Sequence, residues 1–217
     1  MAFLSTSLKS GYITDLILPA PLEGQTPDDV LRTGLDAIFA SVHTPNTMIT
    51  LNPLVHEVKQ LLPSDPKAVD VSSIAPSFGV AVDSPYAILR EGESAAPGGF
   101  QQFEILDKLN VMFGFTSDLT YHSAIRQTKM GMEAFTNAGS GVTIYGRWEI
   151  KVAPGLQQSD GGGGPVQVIN LIERNEIKCN VLLSWYIKAS LDKSHRETHR
   201  RLKEKWLAAM REAGYKD

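Results

Sequence analysis

Hydrophobic positions in this chain change period several times, and each change marks an element. Tyr12–Leu18 is dense in β-branched and aromatic side chains and stops at Pro19, which has no N–H to give a ladder, so a strand is predicted there. Thr26-Pro27-Asp28-Asp29 then carries helix-start chemistry. The Thr26 hydroxyl can accept an orphan N–H, Pro27 suits the first helical position, and acids suit the positive end of the dipole. Val30, Leu31, Leu35, Ile38, Phe39 and Val42 follow at the spacing of one buried helical face. Thr44-Pro45 repeats the start signal for a short helix over Asn46–Leu51. Asn52-Pro53 ends it, and Leu54–Leu61 extends as a strand.

Between Pro63 and Gly99 lie five prolines among Ser, Ala and Gly, which predicts loop-rich ground crossed by one strand at Tyr86–Arg90. Another strand begins at Phe103–Leu106, and its apolar continuation at Met112–Phe115 should be buried or line something. Two long β segments are predicted at Leu119–Glu133 and Val142–Val152, with the turn Asn137-Ala138-Gly139-Ser140-Gly141 between them. The second alternates, with Val142, Ile144, Gly146, Trp148 and Ile150 on the apolar face. The two phases of the first are about equally apolar, so its inward face is left open. Past the glycine-rich loop Asp160–Pro165, strands are predicted at Val166–Ile172 and Ile177–Ile187, paired across a turn at Glu173–Glu176. A long helix from about Ser190 to Ala213 closes the chain, its apolar stripe running through Leu191, Leu202, Trp206 and Met210 with His195 and His199 in phase.

Composition narrows the class without naming a function. A chain of 217 residues suits one domain spanning 1–217, with 63–100 as a loop-rich insertion near a pocket mouth. At 42% hydrophobic, 21% charged and a net charge of −3, it is neither disordered nor a general binder of nucleic acid. The lone Cys179 cannot form an intrachain disulfide, and Met1–Leu4 lacks the apolar run of a signal peptide, so the expectation is a cytoplasmic protein. No stretch approaches the roughly 20 apolar residues of a spanning helix, so no stable membrane insertion is expected. Residues 190–217 hold eight Lys and Arg against five Asp and Glu, which makes that tail +3 and the rest of the chain −6.

Strand, two short helices, antiparallel strands and a long final helix is the order of the α+β helix-grip fold, a curved antiparallel sheet wrapped around a C-terminal helix. With Leu51-Asn52-Pro53-Leu54-Val55, Gly141-Val142, Gly146-Arg147-Trp148-Glu149 and Ser194-His195-Arg196 with His199, the chain resembles the START-like (SRPBCC) superfamily of polyketide cyclases and pollen-allergen-type proteins, and within it a fungal branch of uncharacterised domains. The resemblance implies an apolar cavity between sheet and helix holding a hydrophobic small molecule. It also implies either cyclisation or isomerisation without a cofactor, on a polyketide- or terpenoid-like intermediate of secondary metabolism, or simple carriage of a lipid or sterol.

The candidate residues follow from spacing and phase. His195 and His199, four apart, share a helical face and could move protons near neutral pH; the plainer reading is packing or capping. Tyr121 and His122 are the further catalytic candidates, one on each phase of their strand. Phe113, Phe115, Trp148, Trp185, Leu202, Trp206, Arg90 and Lys129 are candidates for the ligand-binding wall, and Glu104, Tyr186 and His56 lie on segments that could reach it. No metal site is expected, because two histidines without an enclosed Glu or a Cys partner supply too few ligands. Gly161–Gly164 leads into Pro165 and a strand, not a phosphate-binding helix, and Ser140 sits in a hairpin turn, not a nucleophile elbow. Cys179 is in phase with apolar neighbours and reads as an inert buried thiol. A monomer or homodimer fits equally well.

Overall fold

The computed structural model describes residues 5–83, 87–88, 99–110, 116–156 and 166–216. Its elements in chain order are β1 (Ser5–Ile17), α1 (Pro27–Val42), α2 (Pro45–Leu51), β2 (Val55–Leu61), α3 (Val71–Ile74) with a 3-10 turn at Ala75–Phe78, β3 (Ala87–Ile88), β4 (Gln101–Asn110), β5 (Thr116–Thr128), β6 (Gly131–Gly139), β7 (Val142–Leu156), β8 (Val166–Asn180), a 3-10 turn at Val181–Leu183, and α4 (Ser184–Glu212). The strands form one antiparallel sheet in the order β1-β8-β7-β6-β5-β4-β2, with β3 paired to β5. The sheet curves around α4, the helix-grip arrangement.

Local chemistry accounts for most of these boundaries. Thr26 caps α1 through a full capping box: Asp29 N–H donates to its hydroxyl and the Thr26 N–H donates to the Asp29 carboxylate. Pro45 opens α2 as the sequence predicts. The long segment predicted at 119–133 is instead two strands, because the chain reverses at Lys129-Met130. Gly131, the first residue after it, also lies tight against β7: a Cβ there would stand 1.9 Å from the Trp148 carbonyl oxygen.

A second correction matters more. The predicted turn at Glu173–Glu176 does not exist, and β8 runs unbroken from Val166 to Asn180 between β1 and β7. The predicted strand at Ile177–Ile187 therefore ends at Asn180, and α4 begins at Ser184 rather than near Ser190. Of the strand predicted at Tyr86–Arg90, only Ala87 and Ile88 lie within the described residues, and Met112–Phe115 and the loop 160–165 lie outside them.

The main core packs the C-terminal half of α4 against α1 and the ends of β1, β7 and β8. Trp206 is its centre, fully buried beside Leu16, Ile38, Ile169 and Leu202, with its indole N–H donating to the Gly34 carbonyl at 2.9 Å. Burying such a side chain contributes on the order of 4 kcal/mol of transfer free energy. Gly34 is what allows α1 to lie this close, since a Cβ there would stand 2.6 Å from Leu18.

Within the loop-rich stretch predicted at 63–100, residues 69–82 carry α3 and its 3-10 turn. They pack on the convex face of the sheet, where Val69, Val71 and Ala75 join Phe100, Ala124 and Phe135 in a second core. Gln102 holds Val69 by two hydrogen bonds with its backbone, at 2.9 and 3.2 Å. Arg126, buried on the same face, donates to the Val82 and Ala81 carbonyls and pairs with Glu133 at 2.6 Å, and its guanidinium lies 4.5 Å from the Phe100 ring centroid. Both faces of β5 are thus covered, which explains why its two phases are equally apolar.

Candidate functional site

Inward positions on the middle strands are unusually small: Ala134 and Ala138 on β6, Gly146 on β7, Ser123 on β5, opposite Ser190 and Ser194 on α4. Side chains of this size cannot fill the space between sheet and helix. What remains is a cavity of about 420 Å³ between β4–β8, α2 and the N-terminal half of α4, walled mainly by apolar groups such as Ile105, Ile125, Met132, Ile144 and Trp148. Its volume falls in the usual range for small-molecule sites.

Two polar groups of residues interrupt this wall. The first stands where β8 meets α4. Glu173, 1% exposed, places Oε1 2.5 Å from Nδ1 of His195 and Oε2 3.2 Å from Nε2 of His199. Burial works against its charge, but the His195 charge and the contacts from His195, His199 and Asn175 outweigh it and hold the carboxyl down at about 2. His199 Nδ1 lies 2.7 Å from the Thr14 hydroxyl, and its ring stacks on Trp148 at 4.6 Å between centroids. Tyr12 stacks on His195 and donates to Asp192 at 2.6 Å; burial, then Asp192, raise its hydroxyl well above the ordinary value. Glu173, Asn175 and His195 all face the cavity.

The second stands on β4 and β5. Asp107, 5% exposed, accepts from the Tyr121 hydroxyl at 3.3 Å, and both line the cavity. Burial pushes the Asp107 carboxyl up to about 6 despite that hydrogen bond, and burial followed by the Asp107 charge raises the Tyr121 hydroxyl. The folded state therefore binds this proton more tightly than the unfolded chain, so stability falls as pH rises from about 4 through about 6. Asp107→Asn should be more stable than the parent above pH 6 by on the order of 2 kcal/mol, with the advantage gone at pH 4. Urea midpoints of both chains at pH 4 and pH 8 check this, and an advantage independent of pH would contradict it.

The structure distributes the predicted residues unevenly. Tyr121, Trp148 and His195 are in the cavity wall, and Tyr186 also reaches it. His199 lies behind the wall, buried against Trp148 and Glu173. His122 is a correction: its strand phase turns it to the opposite face, where its Nε2 meets Glu104 at 3.1 Å, and Glu104 also pairs with Lys67 at 2.5 Å. Glu104 therefore points away from the cavity too, and His56 is exposed. Trp185 is a second correction: it sits in the first turn of α4, 71% exposed, because the strand expected to turn it inward is a helix. Leu202 and Trp206 belong to the main core and not to the wall, and Lys129 is exposed at the β5–β6 turn. Arg90, Phe113 and Phe115 fall outside the described residues.

Glu173, Asn175 and Asp107 were not among the predicted residues, although a signal for them exists. Along β8 the inward phase reads Ile169, Leu171, Glu173, Asn175, Ile177, Cys179, two polar residues inside an apolar run. Asp107 follows Phe103 and Ile105 in the same way.

Among the described residues no group of His, Cys, Asp and Glu is arranged to hold a metal ion, and no helix is long and apolar enough to cross a membrane. Residues 27–208, from the start of α1 to near the end of α4, match the family model described as a domain of unknown function, DUF7053. The chain belongs to the DUF7053 family. No curated protein matches the sequence of this DUF7053 chain significantly. Among solved structures it is similar to the di-domain ARO/CYC BexL from the BE-7585A biosynthetic pathway, with a TM-score of 0.45 and 12% identity. The similarity covers 91% of the DUF7053 chain and 50% of BexL, so the chain spans half the length of that protein.

Proposed function

We propose that this DUF7053 chain is a START-like enzyme that binds a hydrophobic, polyketide- or terpenoid-like intermediate in its cavity and cyclises or isomerises it without a cofactor. The observation that carries this reading is the pair of titratable polar groups of residues, Glu173–His195 and Asp107–Tyr121, set into a mainly apolar cavity wall. A carrier gains nothing from buried carboxylates there, since their desolvation opposes binding an apolar guest.

The roles follow from the geometry. Glu173, with Oε1 2.5 Å from Nδ1, orients His195, and the imidazole in its neutral form takes a proton from a carbon beside a ligand carbonyl, becoming the cation that the Glu173 carboxylate stabilises. His195 returns that proton at a neighbouring carbon while the Asn175 amide beside it donates to the enolate oxygen, and Asp107, its carboxyl pushed up to about 6, and the Tyr121 hydroxyl hold a polar group of the substrate across the cavity. The proton balance closes, and no external oxidant or reductant enters. The apolar walls fold the substrate and exclude water.

Carriage of a lipid or sterol is the second reading, favoured by the predominance of apolar side chains in the wall. Native mass spectrometry of the protein purified from its own cells, followed by incubation of the released ligand with fresh protein, separates the two. Conversion of that ligand to a cyclised or isomeric product, slowed at least 100-fold in His195→Gln, supports the enzyme. Recovery of unchanged ligand supports the carrier, and a protein that retains nothing counts against both.

A further inference from the structure

The two polar groups of residues stand at opposite sides of one cavity, and this bears on the shape of its occupant. Tyr121 is on β5 and Glu173 and Asn175 on β8, with β6 and β7 between them. Three strand spacings make about 14 Å measured along the sheet. The inward positions on the way across are mainly apolar, including Met132 and Ala134 on β6 and Ile144 and Trp148 on β7, and the hydroxyls of Ser123 and Thr136 there are hydrogen-bonded to each other. The cavity is thus an apolar trough with a polar pole at each side.

Each pole has hydrogen-bonding capacity left over. At the β8 pole, Glu173 Oε1 and His195 Nδ1 occupy each other at 2.5 Å, while Asn175, 5% exposed and in contact with Glu173, has no well-aligned acceptor for its Nδ2 among the described residues. Gly146, paired with Asn175 across the strands, keeps the space for that amide, since a Cβ there would stand 2.9 Å from Asn175 Oδ1. At the β4–β5 pole, the side-chain hydrogen bond to the Asp107 carboxyl among the described residues is the long contact from Tyr121. Buried donors and acceptors left unmade are costly, so a guest that answers them at both sides gains over one that answers a single side.

We propose that the cavity selects a two-ended guest: an apolar body carrying a neutral oxygen group, hydroxyl or carbonyl, at each end, one seated on Asp107 and Tyr121 and the other on Asn175 beside Glu173 and His195. The inference rests on the cavity being the ligand site, as proposed above. Carboxylate ends are disfavoured because each pole already holds a carboxyl.

Calorimetric titration with three twelve-carbon chains tests it: the primary alcohol, the α,ω-diol and the α,ω-diacid. The diol is expected to bind at least tenfold more tightly than the alcohol, although it is the less hydrophobic of the two, and the diacid more weakly than the diol. Tyr121→Phe and Asn175→Leu, which remove one polar group at each pole, should each shrink the diol preference to about twofold while leaving the alcohol's affinity within a similar factor. Far-ultraviolet circular dichroism of each variant confirms the fold, and either variant alone suffices for the comparison. Equal binding of alcohol and diol by the parent overturns the two-ended guest and leaves the cavity as a ligand site. Failure of all three chains to bind overturns both readings.

Discussion

Glu173→Ala should lose about 3–5 kcal/mol of folding stability, the usual consequence of removing one partner from a buried charged group. The residue is 1% exposed, and its carboxylate meets two imidazoles, His195 and His199, that also lie within or behind the cavity wall. Without it, His199 keeps Thr14 and the Trp148 stack but has no acceptor at Nε2. Against a typical total of 5–15 kcal/mol, that loss would bring the chain close to unfolding at growth temperature. Acid titration gives a second signature. Because the folded carboxyl is held at about 2 against an ordinary 4.5, its contribution is complete above pH 4.5 and is lost as pH falls toward 2. Urea denaturation at pH 7 and across pH 2–5 measures both effects. The variant should show a lower midpoint at pH 7 and a shallower decline on acidification; a midpoint unchanged at pH 7 would show that the ion contacts do not hold the wall together.

The second large effect concerns the opposite face of the sheet. Arg126→Ala should also cost about 3–5 kcal/mol, since it leaves Glu133 buried without its cation and strips the Ala81 and Val82 carbonyls of their donor. Tyr145 stays on Glu133 at 3.2 Å, its own hydroxyl raised to about 12 by burial and by that carboxylate, and cannot replace the charge. The loss should be local first. Residues 69–83 are attached to the sheet through the Val69–Gln102 pair, the small second core and Arg126, so limited proteolysis of the variant should cut there while the rest of the chain resists. Cleavage spread evenly along the chain would instead mark Arg126 as part of the global fold.

These two carboxylates, Glu173 and Glu133, also show where sequence patterns run out. The helix-start signal at Thr26 and the alternation of β7 are local signals, and each is reproduced in the structure. Glu173-Arg174-Asn175-Glu176 is local too, but four consecutive polar residues resemble a turn until His195 and His199 are known to stand opposite. That partnership spans more than twenty residues of sequence, and no periodicity carries it. The same holds for Ser184-Trp185-Tyr186-Ile187, whose aromatic and β-branched content favours a strand while the fold makes it the start of α4. The two phases of β5 could not be told apart because residues 69–82, far away in the chain, cover the face that would otherwise be wet. Of the site, Tyr121, Trp148 and His195 were legible; Asp107, Glu173 and Asn175 became so only once strand phase was fixed by pairing.

The helix α4 runs 29 residues, roughly 43 Å, and its two halves answer to different constraints. Leu202, Trp206 and Met210 secure it to the core, whereas Leu191, Ser194, His195 and Thr198 face the cavity. On the proposed reading, anchorage and recognition fall on separate turns of one element, so substitutions at Ser194 or Thr198 would reshape the cavity while Leu202, Trp206 and Met210 keep the scaffold folded.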